Sequence, residues 1–274
     1  MGRLNGKVAF ITGAARGQGR SHAVRLAEEG ASIIAMDICA QIPTVFYPMA
    51  TPEDLAETER LVKEAGGQIV TSIGDVRNYE DVQAAHDLGI ERFGKVDIVV
   101  PNAGIMPVID QGSQRQAWHD AIDVLLTGVW HTLDVSVPGM IERGNGGSIA
   151  ITSSAAGLTS IGLNTFPGQA GYTAAKHGVV GLMRRYAKEL APHFIRVNTI
   201  HPTGVNTPMV ANAEYGAFLQ ANPDVMNDES YKNPMPVELI EAVDISNAIV
   251  FLASDEARYI TGVAFPVDAG YNVR

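Results

Sequence analysis

An apolar run, Val8 to Ile11, passes without a break into Thr12-Gly13-Ala14-Ala15-Arg16-Gly17-Gln18-Gly19 and from there into a helix-like stretch. A strand that turns straight into a helix aims the helix's unpaired amides and positive dipole end over the turn, where a pyrophosphate is favoured. Gly13 permits the tight turn, while Gly17 and Gly19 let backbone approach the phosphates and let the helix pack closely on the sheet. Such turns also occur without a ligand, so a second feature is needed. Ser32-Ile33-Ile34-Ala35-Met36 reads as the next buried strand and ends at Asp37, eighteen positions after Gly19. A carboxylate there accepts both ribose hydroxyls of an adenosine and repels a 2'-phosphate, although Arg16, a cation before the second glycine, pulls the other way. Asp37 decides the reading for NAD.

Beyond this unit, short apolar runs alternate with amphipathic stretches, the pattern of βαβ units in a parallel sheet covered on both faces. The periodicity predicts strands near 7–12, 32–37, 68–74, 96–101, 147–153, 194–200 and 262–267. Helices are predicted near 17–29, 53–66, 79–93, 116–143, 170–191 and 242–253. Right-handed crossovers then place the first strand centrally, with the glycine turn at the carboxyl edge of the sheet. The expected fold is α/β: a doubly wound parallel seven-stranded sheet in a single domain over residues 1–274, with helices on both faces. Two segments exceed the connections it needs: Ile38 to Pro52, with three prolines, and Asn206 to Pro236, rich in Pro, Asn and Asp. Long loops in compact domains are usually functional, so the insert at 38–52 is expected over the cofactor and 206–236 as a substrate lid, with surface decoration as the alternative.

The formal net charge of -10 argues against nucleic acid or an anionic membrane as partner, since both call for a basic face. One cysteine, Cys39, rules out a disulfide framework within the chain and reads as a small buried hydrophobe. Met1 to Lys7 has no apolar signal core, and no run approaches the ~18 apolar residues of a membrane span. A cytoplasmic protein is expected. The seven histidines form no His-Glu-x-x-His pattern, so no metal site is expected. His177 reads as packing, and His201 as a hydrogen-bonded core histidine with a pocket residue as the alternative. No Gly-x-Ser-x-Gly elbow supports acyl hydrolysis.

Oxidation of an alcohol by hydride loss leaves a proton on oxygen, so the site needs a base with a pKa well below tyrosine's usual ~10. Tyr172 and Lys176 share one helix face at i and i+4, where the ammonium stabilises a phenolate and also reaches a cofactor ribose. Ser148 to Ser154 reads as a buried strand ending in hydroxyls; Ser154 is the expected contact to the substrate oxygen and Ser153 a structural residue.

The order of Thr12-Gly13 to Gly19, Asn102-Ala103-Gly104, Ser154, Tyr172/Lys176 and Pro202-Thr203-Gly204-Val205-Asn206-Thr207 resembles the short-chain dehydrogenase/reductase family, with its Rossmann fold, along nearly the whole chain. Arg20-Ser21-His22-Ala23, the proline-bearing insert, His201 to Met209 and Thr261 to Gly270 resemble its carveol dehydrogenase-like, mycofactocin-coupled branch. The resemblance implies NAD-linked oxidation of secondary alcohols such as terpenols, to which the alcohol and its ketone are the small-molecule partners. It implies a tightly held NAD beneath the insert, reoxidised by an external redox carrier. It places Gln18, Ile38, Asp75 and Val76 at the cofactor, the Asn102 to Gly104 backbone along the nicotinamide ribose, and Pro202, Val205 and Thr207 at the carboxamide. Sheet stabilisation by Asn102 to Gly104 and capping by Thr207 stay open as alternatives.

Three departures stand out. Leu125 occupies the place of the family's relay Asn, so a nucleotide-binding sensor without useful turnover is the rival reading. Pro101 is expected to end the fourth strand early. The interval from Ser154 to Tyr172 is longer than usual; its Ile161 to Gln169 stretch is expected to shape the substrate pocket, with Phe166 as a contact. Family members pair the long helices at 116–143 and 170–191, which makes a homotetramer the expected assembly. An epimerase or dehydratase acting on a sugar nucleotide is disfavoured, because it would need a longer C-terminal domain.

Overall fold

Seven strands, β1 (Val8–Thr12), β2 (Ser32–Asp37), β3 (Ile69–Ile73), β4 (Ile98–Val100), β5 (Gly147–Thr152), β6 (Ile195–Pro202) and β7 (Ala264–Val267), form one sheet in the order β3-β2-β1-β4-β5-β6-β7. Every pairing is parallel. This is a computed structural model, and it describes residues 2–159 and 165–273. β1 is buried at all five positions, and its side chains alternate between two cores. Val8 and Phe10 face one, Ala9 and Ile11 the other, as a period of two demands.

The helices are α1 (Gly17–Glu28), α2 (Pro52–Glu64), α3 (Tyr79–Phe93), α4 (Gln114–Ile122), α5 (Gly128–Arg143), α6 (Pro167–Leu190), α7 (Ala213–Ala221), α8 (Pro223–Asn227) and α9 (Ala242–Ala253). α1, α2 and α9 cover one face through residues such as Leu26, Val62 and Ile249, whereas α3, α5 and α6 cover the other through Val82, Leu133 and Val179. α4 runs into α5 through a π-helical turn, Asp123–Thr127, which brings Val124 and Leu125 to the ligand-binding edge. The continuous helix Gln114–Arg143 passes a length-and-composition test for a membrane span, with a mean hydropathy of 1.2 over an 18-residue window, but 61% of that window is buried. It is a core helix of the α/β sandwich.

β4 stops at Val100 because Pro101 has no amide to donate; its carbonyl still accepts from the Thr152 amide at 3.0 Å. β7, at the sheet edge, tolerates Pro266 for the same reason. α6 begins at Pro167, earlier than the periodicity suggests, with proline in the first turn where its missing amide costs nothing. The segment 206–236 is less of a loop than its composition implies. Asn212 accepts from the Tyr215 amide at 2.7 Å and caps α7, and Pro223 opens α8. The residues read as loop formers are helix starters there.

Candidate active site

The strand order reverses between β1 and β4, and a cleft opens at their carboxyl ends. Gly13 (φ 68°) and Gly17 (φ 55°) hold left-handed backbone conformations. A Cβ on Gly13 would stand 2.6 Å from Ala103 Cα, and one on Gly19 would stand 1.9 Å from the Gly13 carbonyl oxygen. Both contacts are incompatible with a side chain. α1 starts at Gly17 without a side-chain cap, which leaves its first amides for an anion. At the end of β2, the Asp37 carboxylate accepts from the Ala15 amide at 2.9 Å and the Cys39 amide at 3.1 Å. Burial raises the Asp37 pKa, against the pull of those amides and of Arg16. A glycine cradle, a helix N-terminus and an acceptor carboxylate at the next strand end fit an adenine dinucleotide.

Gly13, Arg16, Gly17, Gln18, Gly19, Asp37, Ile38, Asp75, Val76, Asn102, Ala103, Gly104, Tyr172, Lys176 and Thr207 all line this cleft. Pro202 and Val205 instead line an adjoining cavity, together with Ser154. Asn102 stands where the two readings of its segment meet. Its backbone lines the cleft, and its side chain donates to the Thr12 and Gly13 carbonyls at 3.1 and 3.3 Å, locking the glycine turn to the end of β4. Gln18 borders both cleft and cavity, and its buried Oε1 has no hydrogen-bond partner among the described residues.

The insert 38–52 forms a wall of the cleft through Ile42, Tyr47, Met49 and Ala50. Four side chains fasten it. The Arg16 guanidinium donates to the Pro48 carbonyl, and the Gln41 amide donates to the Val45 carbonyl at 2.9 Å. The buried Tyr47 hydroxyl accepts from the Met106 amide at 3.2 Å. Thr44 donates to the buried Asp120 carboxylate at 2.6 Å, which also pairs with Arg77 at 3.0 Å; Arg77 in turn pairs with Asp75 at 2.6 Å. Arg16 thus serves as a staple for the insert. Phe46 stacks on Tyr215 of α7 at 6.4 Å between ring centres, so the insert meets the 206–236 segment. Cys39 is half-buried at φ 47°, not a core hydrophobe: the chain turns there to leave β2.

Tyr172 and Lys176 lie on one face of α6, with Lys176 Nζ 5.7 Å from the Tyr172 ring centre. Burial raises the Tyr172 pKa, and a hydrogen bond with the Ser154 hydroxyl opposes that rise. Lys176 is buried, donates to the Thr152 carbonyl at 2.7 Å, and is pushed down to about 7 by desolvation. Ser153 is structural, donating to the Lys176 carbonyl at 2.9 Å. Leu125 is 1% exposed beside Gly104, so apolar carbon fills the place of the family's Asn. His177 is exposed and bonds the Thr173 carbonyl at 3.0 Å, which corrects the packing role read from sequence: one step along the helix from Lys176 leads to the solvent side.

His201 is the hydrogen-bonded core residue, and it acts on Ser154. Its Nδ1 lies 2.7 Å from the Ser154 carbonyl oxygen, an acceptor only, so Nδ1 carries the hydrogen and Nε2 accepts from the Thr199 hydroxyl at 2.8 Å. This arrangement needs a neutral ring, and burial holds its pKa down to about 4. His22, buried beside Ser246, is held at about 3. Both titrate near 6.5 when unfolded, so below that pH the unfolded chain binds more protons and stability falls as the pH drops towards 4 and 3. Thermal melts from pH 7.5 to 4.5 are expected to show a smaller acid loss for His201→Gln than for the wild type, relative to each protein's value at pH 7.5. Equal slopes would refute the neutral-ring assignment.

The adjoining cavity has a volume of about 1060 Å³ and meets the cleft at Gln18, Ser153, Tyr172, Thr207 and Met209. Its walls come from Met106 and Val108, from Ser154 to Ala156, from Gln169, and above all from residues 202–239. Gln169 closes the Ile161 to Gln169 stretch expected at the substrate pocket, and it lines this cavity. Phe166 lines a separate small pocket with Thr44 and Pro107, which corrects its placement at the substrate: the proline that opens α6 directs the preceding chain towards the insert. Residues 161–164 of the expected pocket-shaping stretch lie outside the described residues.

A family profile described as Enoyl-(Acyl carrier protein) reductase matches residues 13–272. An uncharacterized oxidoreductase of Mycobacterium tuberculosis is 56% identical, over 98% of this chain and 97% of its own length. The (-)-trans-carveol dehydrogenase of Rhodococcus erythropolis is 46% identical over 100% of both chains. The crystal structure of carveol dehydrogenase from Mycobacterium avium in complex with NAD superposes with a TM-score of 0.90 at 50% identity, covering 100% of both chains.

Proposed function

Because the chain belongs to the short-chain dehydrogenase/reductase family, we propose that it oxidises a secondary alicyclic, terpenol-like alcohol to the ketone with NAD, and catalyses the reverse reduction. The observation that carries this reading is the meeting of a dinucleotide-shaped cleft and a separate cavity at Tyr172, with Ser154 and Lys176 beside it. The glycine turn and Asp37 would hold NAD, which would supply the hydride acceptor for the carbinol carbon. Tyr172 removes the hydroxyl proton as the carbonyl forms. Ser154 donates to the same oxygen, and His201 positions Ser154 by fixing its carbonyl. Lys176 stabilises the phenolate; lowering a phenol by three units takes about 4 kcal/mol, and a desolvated cation at this range contributes strongly. The Asp37 carboxylate supports NAD over its 2'-phosphorylated form, and the insert acts as a cover on the cofactor, with the 206–236 segment a lid on the substrate. A homotetramer, joined through the long helices, would cover Trp118 and Trp130, which are 37% and 42% exposed.

Leu125 favours a second reading, a nucleotide-binding sensor, because leucine holds no relay water near Lys176. One experiment separates the two. The purified protein is denatured to quantify released nucleotide, and the native protein is mixed with carveol and an artificial electron acceptor. We expect bound or bindable NAD, its reduction by the alcohol, and turnover about tenfold higher in Leu125→Asn, where a proton path is restored. Nucleotide binding with no reduction in either form would leave the sensor.

A further inference from the structure

We propose that the alcohol this chain takes is an apolar molecule of three or four fused rings, or equal bulk, rather than a single ring. The inference rests on the alcohol-dehydrogenase reading above and narrows it. The cavity beside Tyr172 measures about 1060 Å³. Pockets that enclose drug-sized ligands span roughly 300–1,000 Å³. A one-ring alcohol at Tyr172 and Ser154 would leave most of that half-open space as water against Leu219, Val225 and the exposed Met235 and Val237, with Lys232 and Glu238 also in the lining. Such a site gains its binding free energy from a ligand long enough to cover them.

A glycine marks the same space. Gly216 stands inside α7, lines the cavity, and a Cβ built on it would meet nothing within 4 Å. Glycine weakens a helix interior relative to alanine, and no neighbouring atom demands it here. The room it leaves belongs to the cavity. A leucine at 216 would strengthen the helix by propensity and take volume from the far part of the substrate.

The test compares cyclohexanol, a two-ring decalin alcohol and a saturated four-ring alcohol on the cofactor-loaded wild type and Gly216→Leu. Reduced cofactor is read by absorbance, with an electron acceptor present. One methylene in an apolar pocket changes kcat/KM by about 10- to 200-fold, so the four-ring alcohol is expected to exceed cyclohexanol by at least about 100-fold in the wild type. In Gly216→Leu its kcat/KM is expected to fall by at least about tenfold while cyclohexanol changes by less than about threefold. A wild type that favours cyclohexanol, or a variant that lowers all three alike, overturns the proposal. Turnover of none of the three in the wild type rejects the alcohol-dehydrogenase reading itself, and the proposal with it.

Discussion

Tyr172→Phe is expected to lower kcat by at least about 1,000-fold while leaving nucleotide content and melting temperature close to the wild type. A positioned proton-transfer group contributes about 10²–10⁴-fold, and the substitution removes that oxygen and nothing else. The ring keeps its place on α6 beside Lys176. The Ser154 hydroxyl loses one partner, still accepts from the Ala156 amide at 3.2 Å, and borders a cavity where water can take the lost place. A cofactor-binding protein with no proton to move would not register the change, so the split between intact binding and lost turnover is diagnostic. Activity within tenfold of the wild type would remove Tyr172 from the reaction. Lys176→Met is the less selective companion, because it also empties a buried bond to the Thr152 carbonyl.

Asp37→Ala is expected to weaken NAD binding by at least about 100-fold and to abolish its preference over the 2'-phosphorylated form. The carboxylate accepts from two backbone amides, Ala15 and Cys39, and charge-assisted bonds contribute about 1.5–3 kcal/mol each. Every 1.4 kcal/mol of binding is about tenfold in affinity, so loss of the ribose contacts alone reaches this range. The variant also frees the turn at Cys39 from which the insert departs. Asp37→Asn separates these effects: it keeps the shape and one acceptor, and it removes the charge that repels a 2'-phosphate. Calorimetric titration of both variants with both nucleotides is the check. An unchanged ratio of the two affinities in Asp37→Asn would mean that some other group sets cofactor choice.

Much of this site is legible in the chain because its signals are local. The glycine turn, Asp37 at the end of β2, and Tyr172 with Lys176 one helical turn later each declare themselves within a few residues, and the inner position of β1 follows from crossover handedness. The fastening of the insert is different. Thr44 meets Asp120 across 76 positions and Arg77 meets it across 43, partners that no spacing rule connects. Nothing in the sequence marks Asp120, whereas the fold buries it at 3% exposure among three donors, Thr44, Arg77 and Gln116. α7 was hidden by its own caps, since Asn212 and Pro223 are as typical of loops as of helix starts. The π turn at Asp123–Thr127 has no sequence rule behind it at all, yet it decides which side chain faces the cleft.

The stack of Phe46 on Tyr215 has a kinetic meaning. Phe46 belongs to the insert whose Ile42, Tyr47, Met49 and Ala50 line the nucleotide cleft, and Tyr215 lines the adjoining cavity. On the proposed reading of the insert as a cover and of 206–236 as a lid, outward movement of either would part the pair, so the two compartments are mechanically joined. Nucleotide and alcohol are then expected to change each other's release rates, which stopped-flow measurements with one ligand and with both would check.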